Sequence, residues 1–226
     1  MPMRRFALLP LLVLLAAAPP AAERRFLVTS FDRLRVEGQV DVELAPGSPG
    51  AVASGDRAAI DALSVRIDSG TLVVRPGEGG SGVPHLRLTA PAVGAVQVNG
   101  GGHVRVAQVK GDRVDLTVNG GGTLEVADVA ARDLALTLSG TGAITAAGKA
   151  DRVRARSFGA GSIDAARLTA GDAVLVSQSS GDLSVAARYT ARATALGTGA
   201  IRVGGRPECH VSGPGPVECA GTAKRD

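Results

Sequence analysis

Residues 99–106 read NGGGHVRV, and the same pattern returns without a gap as NGGGTLEV at residues 119–126 and as SGTGAITA at residues 139–146. Degenerate copies of this pattern follow towards the C-terminus. The second glycine of each Gly-x-Gly marks an equivalent position, and the spacing of these positions falls from 20 residues to 16 along the chain. The seven positions are Gly102, Gly122, Gly142, Gly161, Gly181, Gly199 and Gly215. The chain is therefore a tandem repeat.

Apolar residues alternate with polar ones on both sides of each glycine corner. Val114, Leu116 and Val118 precede one corner, and Leu124 and Val126 follow it. A period of two is typical of β-strands, and no window shows the spacing of an amphipathic helix. Each repeat is predicted to be a strand, a Gly-x-Gly corner, a second short strand and a turn carrying Asp or Lys.

A unit of about twenty residues cannot bury its own apolar face, so the repeats must stack as parallel strands about 4.8 Å apart. We expect an all-β fold, a single-stranded parallel β-helix (solenoid) with Gly-x-Gly corners. Glycine suits such corners because they bring backbones close together or need a positive φ. Equivalent apolar residues then form two columns, one of Val96, Leu116, Leu136, Ala155 and Leu175, and one of Val104, Leu124, Ile144, Ile163, Leu183, Ile201 and Val217.

The sequence before residue 95 is less regular than the rest. Residues 63–74 are predicted to be two strands joined by a tight turn at residues 68–70. We expect residues 26–94 to form N-terminal coils and a cap of the same solenoid, and residues 95–226 to form its regular repeats. Both parts then belong to a single domain over residues 23–226.

The N-terminus has the layout of a secretory signal peptide. Basic residues at the start precede an apolar run over residues 6–18, and small residues lead to a cleavage site near Ala22. The apolar run is too short to span a bilayer, and no later stretch is long enough to do so. The sequence predicts a signal peptide over residues 1–22 and an exported mature protein without a transmembrane segment.

Composition excludes several classes of protein. The chain has 226 residues, of which 45% are hydrophobic, so it is not disordered, and its 31 glycines lack the three-residue period of collagen. Its formal net charge of +4 falls to +2 without Arg4 and Arg5 of the signal peptide. General binding to nucleic acid therefore has no electrostatic support.

Three features together indicate a family. They are the opening SFDRLRVEG at residues 30–38, the Leu-Thr-Ala-Pro stretch at residues 88–91, and the serial Gly-x-Gly corners. In these features the chain resembles the GIN head domain of putative auto-transporter adhesins, a bacterial exported family of right-handed parallel β-helix type. The resemblance implies an adhesin-like protein of the periplasm or the cell surface of a Gram-negative bacterium, with no active site to carry over.

Cys209 and Cys219 are the only cysteines. An even pair in an exported protein favours a disulfide, and the offsets of the two residues from Gly215 match inward positions of earlier repeats. We expect this bond to close the end of the solenoid. His210 adjoins Cys209, which leaves a redox or metal role as the alternative, but strand alternation turns His210 outward.

No catalytic constellation, metal site or cofactor site is predicted. His85, His103 and His210 are scattered and lack metal-ligand spacing. The aspartates that recur before the long strand are interpreted as caps that accept hydrogen bonds from turn amides. These aspartates are Asp112, Asp133, Asp151 and Asp172.

A basic strip is the candidate binding site. Arg152, Arg154 and Arg156 alternate outward along one strand, and Arg192 falls at the offset of Arg154 two coils later. This strip could bind an anionic glycan or a lipopolysaccharide phosphate. The alternative is a solvated strand face that discourages edge pairing. Phe158 is either a packed corner residue or an exposed contact.

Three functional hypotheses follow. The first is a non-enzymatic, adhesin-like binding module of the bacterial envelope, whose partner is an anionic glycan, a lipopolysaccharide or an envelope protein. The second, implied by relatives that are coupled to envelope-stress sensors, is a structural or sensory envelope protein that acts through a membrane partner. An enzyme acting on polysaccharide is a distant third, because no cluster of carboxylates can be assembled from these spacings.

Overall fold

Parallel pairing between residues one repeat apart builds the fold. The computed structural model describes residues 22–79 and 82–225. Leu116 pairs with Leu136 and Leu124 pairs with Ile144, so each turn of the chain lies directly against its neighbour. The predicted all-β solenoid with coils of about 20 residues is confirmed.

The described chain before residue 107 contains nine strands and one helix. They are β1 (Ala22–Phe26), β2 (Arg33–Glu37), β3 (Asp41–Pro46), β4 (Gly50–Gly55), α1 (Arg57–Ala62), β5 (Ser64–Asp68), β6 (Thr71–Arg75), β7 (His85–Ala90), β8 (Ala95–Asn99) and β9 (His103–Val106).

Nine more strands follow in the described chain, and the first five of them are long because they continue around the corners of a coil. They are β10 (Val109–Gly120), β11 (Thr123–Gly140), β12 (Ala143–Gly159), β13 (Ser162–Ser179), β14 (Leu183–Ala195), β15 (Ile201–Gly205), β16 (Glu208–Ser212), β17 (Val217–Cys219) and β18 (Thr222–Arg225).

Each regular coil has three faces. The long face contains residues 113–120, the short face contains residues 123–126, and the third face contains residues 129–131, each with its equivalents in the other coils. The third face lies where the sequence pattern predicted only a turn, so that part of the prediction was wrong. Its segments are too short to show an alternating pattern.

The two predicted columns of apolar residues are present in the register of the strands. One runs from Val96 to Leu175 on the long face, and the other runs from Val104 to Val217 on the short face. Their members are buried except for Val217, which is partly buried against the same core. The two faces therefore enclose one hydrophobic core.

The order of coils in space differs from their order in the sequence. β2 and β3 lie between the coil of β6 and β7 and the coil of β8 and β9. Leu34, for example, pairs with Leu72 on one side and with Val96 on the other. Residues 26–94 thus share a sheet and a core with the repeats, while the domain limits stay predictions.

Antiparallel strands cover the N-terminal end of the stack. β5 pairs with β6 through the predicted hairpin, whose turn residues Ser69 and Gly70 both have positive φ. β4 pairs with β7, and β1 pairs with β4. This arrangement satisfies the hydrogen-bonding edges that the first parallel coil would otherwise expose.

A short helix, α1, also belongs to this end, and the sequence analysis missed it. The Asp56 carboxylate caps α1 by accepting hydrogen bonds from the amides of Ala58 and Ala59 at 3.0 and 3.2 Å. Ile60 on its buried face packs into the core. With six residues, the helix is under two turns long and leaves no clear helical period.

The two glycines of the corner at residues 120–122 have different roles. Gly120 has a φ of 116°, which residues with a side chain rarely adopt. Gly122 has no such φ, but a Cβ there would lie 2.6 Å from the carbonyl oxygen of Gly102 in the adjacent coil. The second glycine is therefore needed because the backbones approach closely. The equivalent clash with a neighbouring backbone oxygen would occur at Gly102, Gly142, Gly161, Gly181, Gly199 and Gly215.

The C-terminal end carries the disulfide. Cys209 of β16, on the long face, is bonded to Cys219 of β17, on the short face, so the predicted bond is confirmed. Cys209 is fully buried and Cys219 packs against the core from a partly buried position. A bond closing a loop this short stabilises a fold by about 2 to 3 kcal/mol.

Buried serines near this end differ in their hydrogen bonds. The Ser179 hydroxyl donates to the carbonyl of Gly161 at 2.9 Å and accepts from the amide of Gly181 at 3.0 Å. Ser157 is fully buried, pairs with Leu138 and Ser177 of adjacent coils, and its hydroxyl has no hydrogen-bond partner. A buried hydroxyl without a partner is destabilising.

The N-terminal signal peptide prediction covers residues 1–22, which lie outside the described residues except for Ala22, the first residue of β1. Across residues 22–79 and 82–225, no helix has the length and apolar character needed to cross a bilayer.

The corner glycines provide a matched test of coil stacking. Gly122→Ala is expected to destabilise the protein by about 1 to 3 kcal/mol because the new methyl group meets a backbone oxygen that cannot move alone. Gly121→Ala is the control, since its Cβ would meet only the Thr141 hydroxyl at 3.4 Å. Urea unfolding measures both changes. Equal losses would contradict the close-approach argument.

The buried serines provide a second matched test. Ser157→Ala is expected to raise the free energy of unfolding by about 1 kcal/mol, because it removes a buried hydroxyl that has no partner. Ser179→Ala is expected to lower it by about 1 to 2 kcal/mol, because the amide of Gly181 loses its acceptor. Thermal and urea unfolding of the two variants should move in opposite directions; a shared direction would refute the assignment.

Candidate functional site

The outer side of the long face changes character along the stack. In β12, β13 and β14 it presents what we call the cationic patch. Arg154 pairs with Val174, which pairs with Arg192, and Phe158 pairs with Gln178. Its nine side chains stand in three rows: Arg154, Arg156 and Phe158; Val174, Val176 and Gln178; Arg192, Thr194 and Leu196.

The strand register sets the spacing of the arginines in the cationic patch. Arg154 and Arg156 are two residues apart on one strand, so their Cα atoms lie about 7 Å apart. Arg154 and Arg192 are separated by two inter-strand steps, or about 10 Å. The backbone of these strands is hydrogen-bonded on both sides, so the three guanidinium groups project from a rigid base.

The arginines of the patch are not neutralised by the protein. Within the described chain, Arg154, Arg156 and Arg192 have neither an ion pair nor a side-chain hydrogen bond. Arg152 differs, because its Nε lies 2.9 Å from Oδ1 of Asp133 on the adjacent strand. The predicted strip of four arginines is therefore three unpaired arginines with a fourth in an ion pair at its border.

Several other arginines of the described chain are in short ion pairs instead. Such pairs hold their guanidinium groups within 3.1 Å of a carboxylate oxygen and so cancel local charge. They are Arg75 with Glu37, Arg113 with Asp115, Arg132 with Asp112, Arg152 with Asp133, and Arg202 with Asp182.

Apolar side chains lie among the patch arginines. Phe158 is 36% exposed, Val174 is 40% exposed and Leu196 is 51% exposed. Phe158 is thus an exposed contact rather than a packed corner residue. The sequence analysis did not include Val174 or Leu196 in the site, although the repeat spacing places Val174 between Arg154 and Arg192.

The remainder of the long face is polar and hydrogen-bonded to itself. The Asn119 amide donates to Oδ1 of Asn99 at 3.0 Å, and the Gln97 amide donates to the same oxygen at 3.1 Å. Thr117 and Thr137 occupy the column in which Arg156 stands in the next coil. In this half of the face Arg113 is paired with Asp115, so it lacks the unpaired positive charge of the patch.

The short face carries a column of ion pairs with alternating sign. Arg87, Glu43, Arg105 and Glu125 follow one another across adjacent strands, and their closest guanidinium and carboxylate atoms are 3.6 to 3.9 Å apart. Charge is balanced along this column. It therefore offers less attraction for a charged ligand than the cationic patch does.

A cleft of about 610 Å³ lies beside this column. The corner after the short face is one residue shorter in β12 than in β11, as the register shift between Val126 and Val129 shows. Ala127 and Ala147 line the cleft, and Arg167 stands at one side. Glu43 and Glu125 also line it, and both carboxylates are in the ion pairs of the column.

The three histidines lie on two faces. His85 and His103 are on the short face, each within 4.0 Å of a carboxylate oxygen, of Glu43 and Glu125 respectively. His210 is on the outer side of the long face, next to Arg192. Among the described residues, no three His, Cys, Asp or Glu side chains form a group that could hold a metal ion.

The aspartates that recur before the long strand do not cap turns, so that interpretation was wrong. The carboxylates of Asp112 and Asp133 accept from Arg132 and Arg152 of the next coil, and that of Asp172 accepts from the Thr190 hydroxyl. They bind side chains across coils because stacked turns place a donor directly beside each of them.

Shifted pKa values occur in surface ion pairs. Hydrogen bonds from Arg202 and from the amide of Ala200 lower the pKa of Asp182. A hydrogen bond from Lys224 lowers the pKa of Glu208. Both carboxylates are held in the charged form, whereas a general acid needs a raised pKa. The absence of catalytic residues and cofactors stays a prediction.

The chain has clear relatives. A family model described as "Putative auto-transporter adhesin, head GIN domain" matches residues 30–207. No curated protein matches the sequence.

Three solved structures share the fold. A putative adhesin from Bacteroides fragilis has a TM-score of 0.79 at 20% identity, covering 92% of this chain and 98% of that chain. A putative lipid binding protein from Parabacteroides distasonis has a TM-score of 0.69 at 21% identity, with coverage of 91% and 96%. A putative adhesin from Parabacteroides merdae has a TM-score of 0.62 at 15% identity, again with coverage of 91% and 96%.

Proposed function

Because the chain belongs to the family of putative auto-transporter adhesin head GIN domains, we propose that it is an exported, non-enzymatic binding module whose cationic patch holds an anionic polymer of the bacterial surface. The polymer class is an acidic or phosphorylated glycan, including lipopolysaccharide. The observation that carries the proposal is that Arg154, Arg156 and Arg192 are unpaired on the exposed long face, whereas Arg113, Arg132 and Arg152 are in ion pairs.

Guanidinium geometry favours this class of ligand. Arginine presents several N–H groups in one plane and binds carboxylate or phosphate through two parallel hydrogen bonds. Three such groups, spaced at about 7 and 10 Å, can contact successive acidic groups of a polymer. Because each contact is exposed to solvent, it contributes little by itself, and repeated contacts along the polymer supply the affinity.

The scaffold supports binding rather than turnover. A parallel sheet holds the arginines in fixed positions, so binding need not order the backbone. Among residues 22–79 and 82–225, no acidic side chain stands within the three rows of the patch, so the carboxylate pair that a glycosidase needs is not found there. Family membership and neighbours named as adhesins and as a lipid binding protein support a surface role, and export to the envelope is part of the proposal.

Loss of the patch arginines tests the proposal. Arg154→Gln/Arg156→Gln is expected to weaken binding to purified lipopolysaccharide and acidic glycans about 10-fold or more at low salt, because two anion contacts are lost. Binding of the wild-type protein should also fall as salt rises. A glycan array and surface plasmon resonance at two salt concentrations measure these effects.

The control removes the same charge elsewhere. Arg167 and Arg188 are exposed and outside the long face. Arg167→Gln/Arg188→Gln should retain at least most of the wild-type affinity. Equal losses in the two double variants would show that only net charge matters. A blank array for the wild-type protein would reject the proposal and favour an envelope protein as the partner.

A gain of binding tests the border of the patch. Asp133→Asn is expected to strengthen binding about 2- to 5-fold, because it releases Arg152 from its ion pair and removes a nearby negative charge. Asp112→Asn is the control, since it releases Arg132 at the edge of the third face instead. Isothermal titration with the strongest glycan from the array measures both. No gain in Asp133→Asn would exclude Arg152 from the site.

A further inference from the structure

The cationic patch is amphiphilic as well as basic. Val174 stands between Arg154 and Arg192 in one column of the patch. Phe158 and Leu196 stand together in another column, four residues further along the strands. Three of the large hydrophobic side chains exposed in the described chain therefore lie among three unpaired arginines. A ligand with acidic groups alone would use only the arginines.

We propose that the occupant of the cationic patch is a membrane surface that carries anionic lipid headgroups. In this arrangement the guanidinium groups of Arg154, Arg156 and Arg192 contact lipid phosphates, while Phe158, Val174 and Leu196 reach between the headgroups. The inference rests on the proposed function because it uses the same arginines. It goes further by naming a lipid assembly, rather than a soluble polymer, as the ligand.

Comparison between coils of this chain shows where the apolar character begins. The column that contains Val176 holds Thr117 and Thr137 in earlier coils, and the column that contains Val174 holds Asp115 and Ala135. The polar half of the face thus has the same backbone but different side chains. Compared with β10 and β11, larger apolar side chains stand on β12 and β13, in the coils that carry the unpaired arginines.

Shape and size favour a lipid surface over a protein partner. The outermost Cα atoms of the patch span about 10 Å across the strands and about 13 Å along them. A stable protein interface buries about 800 Å² on each partner, so the patch alone is too small for one. A depression of about 220 Å³ borders the patch at Arg154, but Asp133 lines it as well and would oppose a small anion. The sheet face beyond it can lie against a planar array of headgroups.

Charge complementarity supports the same occupant. The carboxylates nearest to the patch are engaged with other groups: Asp133 with Arg152, Asp172 with the Thr190 hydroxyl, and Glu208 with Lys224. No acidic side chain stands within the three rows. Basic residues near an anionic bilayer attract its phosphates, and apolar side chains at the headgroup level add binding that salt does not screen.

Vesicle binding tests the inference. The protein is recovered from the exported fraction of its expression host and titrated with vesicles of mixed phosphatidylglycerol and phosphatidylcholine, with vesicles of phosphatidylcholine alone, and with dextran sulfate. The expected result is binding to the mixed vesicles and to dextran sulfate, with weak binding to phosphatidylcholine. Arg154→Gln/Arg156→Gln should weaken both interactions about 10-fold or more.

The apolar residues give the decisive variant. Val174→Thr/Leu196→Gln is expected to weaken vesicle binding about 5-fold or more and to leave dextran sulfate binding unchanged, because only a lipid assembly uses apolar contacts. Leu27→Gln/Val83→Thr is the matched control, since these residues are 106% and 54% exposed and lie outside the patch. All four side chains are outside the core, and equal urea midpoints will verify that folding is unaffected.

The outcomes separate the inference from the proposed function. Binding of wild-type protein to dextran sulfate without binding to vesicles would overturn the inference and leave the proposed function standing. Vesicle binding that is unaffected by Val174→Thr/Leu196→Gln would also overturn it, because the attraction would then be ionic alone. Binding to neither probe would overturn both.

Discussion

Close contact between glycine backbones is the constraint on which the rest of the structure depends. Adjacent coils must approach to the spacing of β-strands, about 4.8 Å, at every corner as well as along every face. A side chain at the second corner glycine would meet a carbonyl oxygen of the neighbouring coil, as the position of Gly122 against Gly102 shows. Without glycine there, the strands on the two sides of the corner could not keep the same register.

Because the coils are in register, equivalent residues of successive coils form columns. Columns that point inward determine the stability of the core, and columns that point outward determine the chemistry of the surface. Leucine at equivalent inward positions gives a continuous core, as Leu116 and Leu136 do. On the outside, alternation of Arg105 with glutamates gives a balanced column on the short face. Arg154 and Arg192 have Val174 between them instead of a carboxylate. Their charge is therefore left for a ligand.

The repeat spacing allowed the fold and the two apolar columns to be predicted, because alternation and glycine period are local properties of a sequence. Three features escaped it for physical reasons. The third face has segments too short for a pattern, and α1 has too few residues. The third feature is the position of β2 and β3 between coils that come later in the sequence. This position depends on which strand edges pair with each other, and neighbouring residues in the sequence do not indicate that pairing.

The candidate site was predictable only in part. Outward alternation along the strand identified the arginines. The ion pair of Arg152 with Asp133 was not predicted, because these two coils are 19 residues apart rather than 20, owing to one shorter corner in β12. Counting 20 residues on from Arg154 would have placed Val174 of β13 in the site. A flat solenoid face evolves such a patch by a few substitutions in adjacent coils, because each new side chain enters a position whose backbone is already fixed by its neighbours. One column of the face therefore changes from threonine at Thr117 and Thr137 to arginine at Arg156, while the packing of the core beneath it is unaffected.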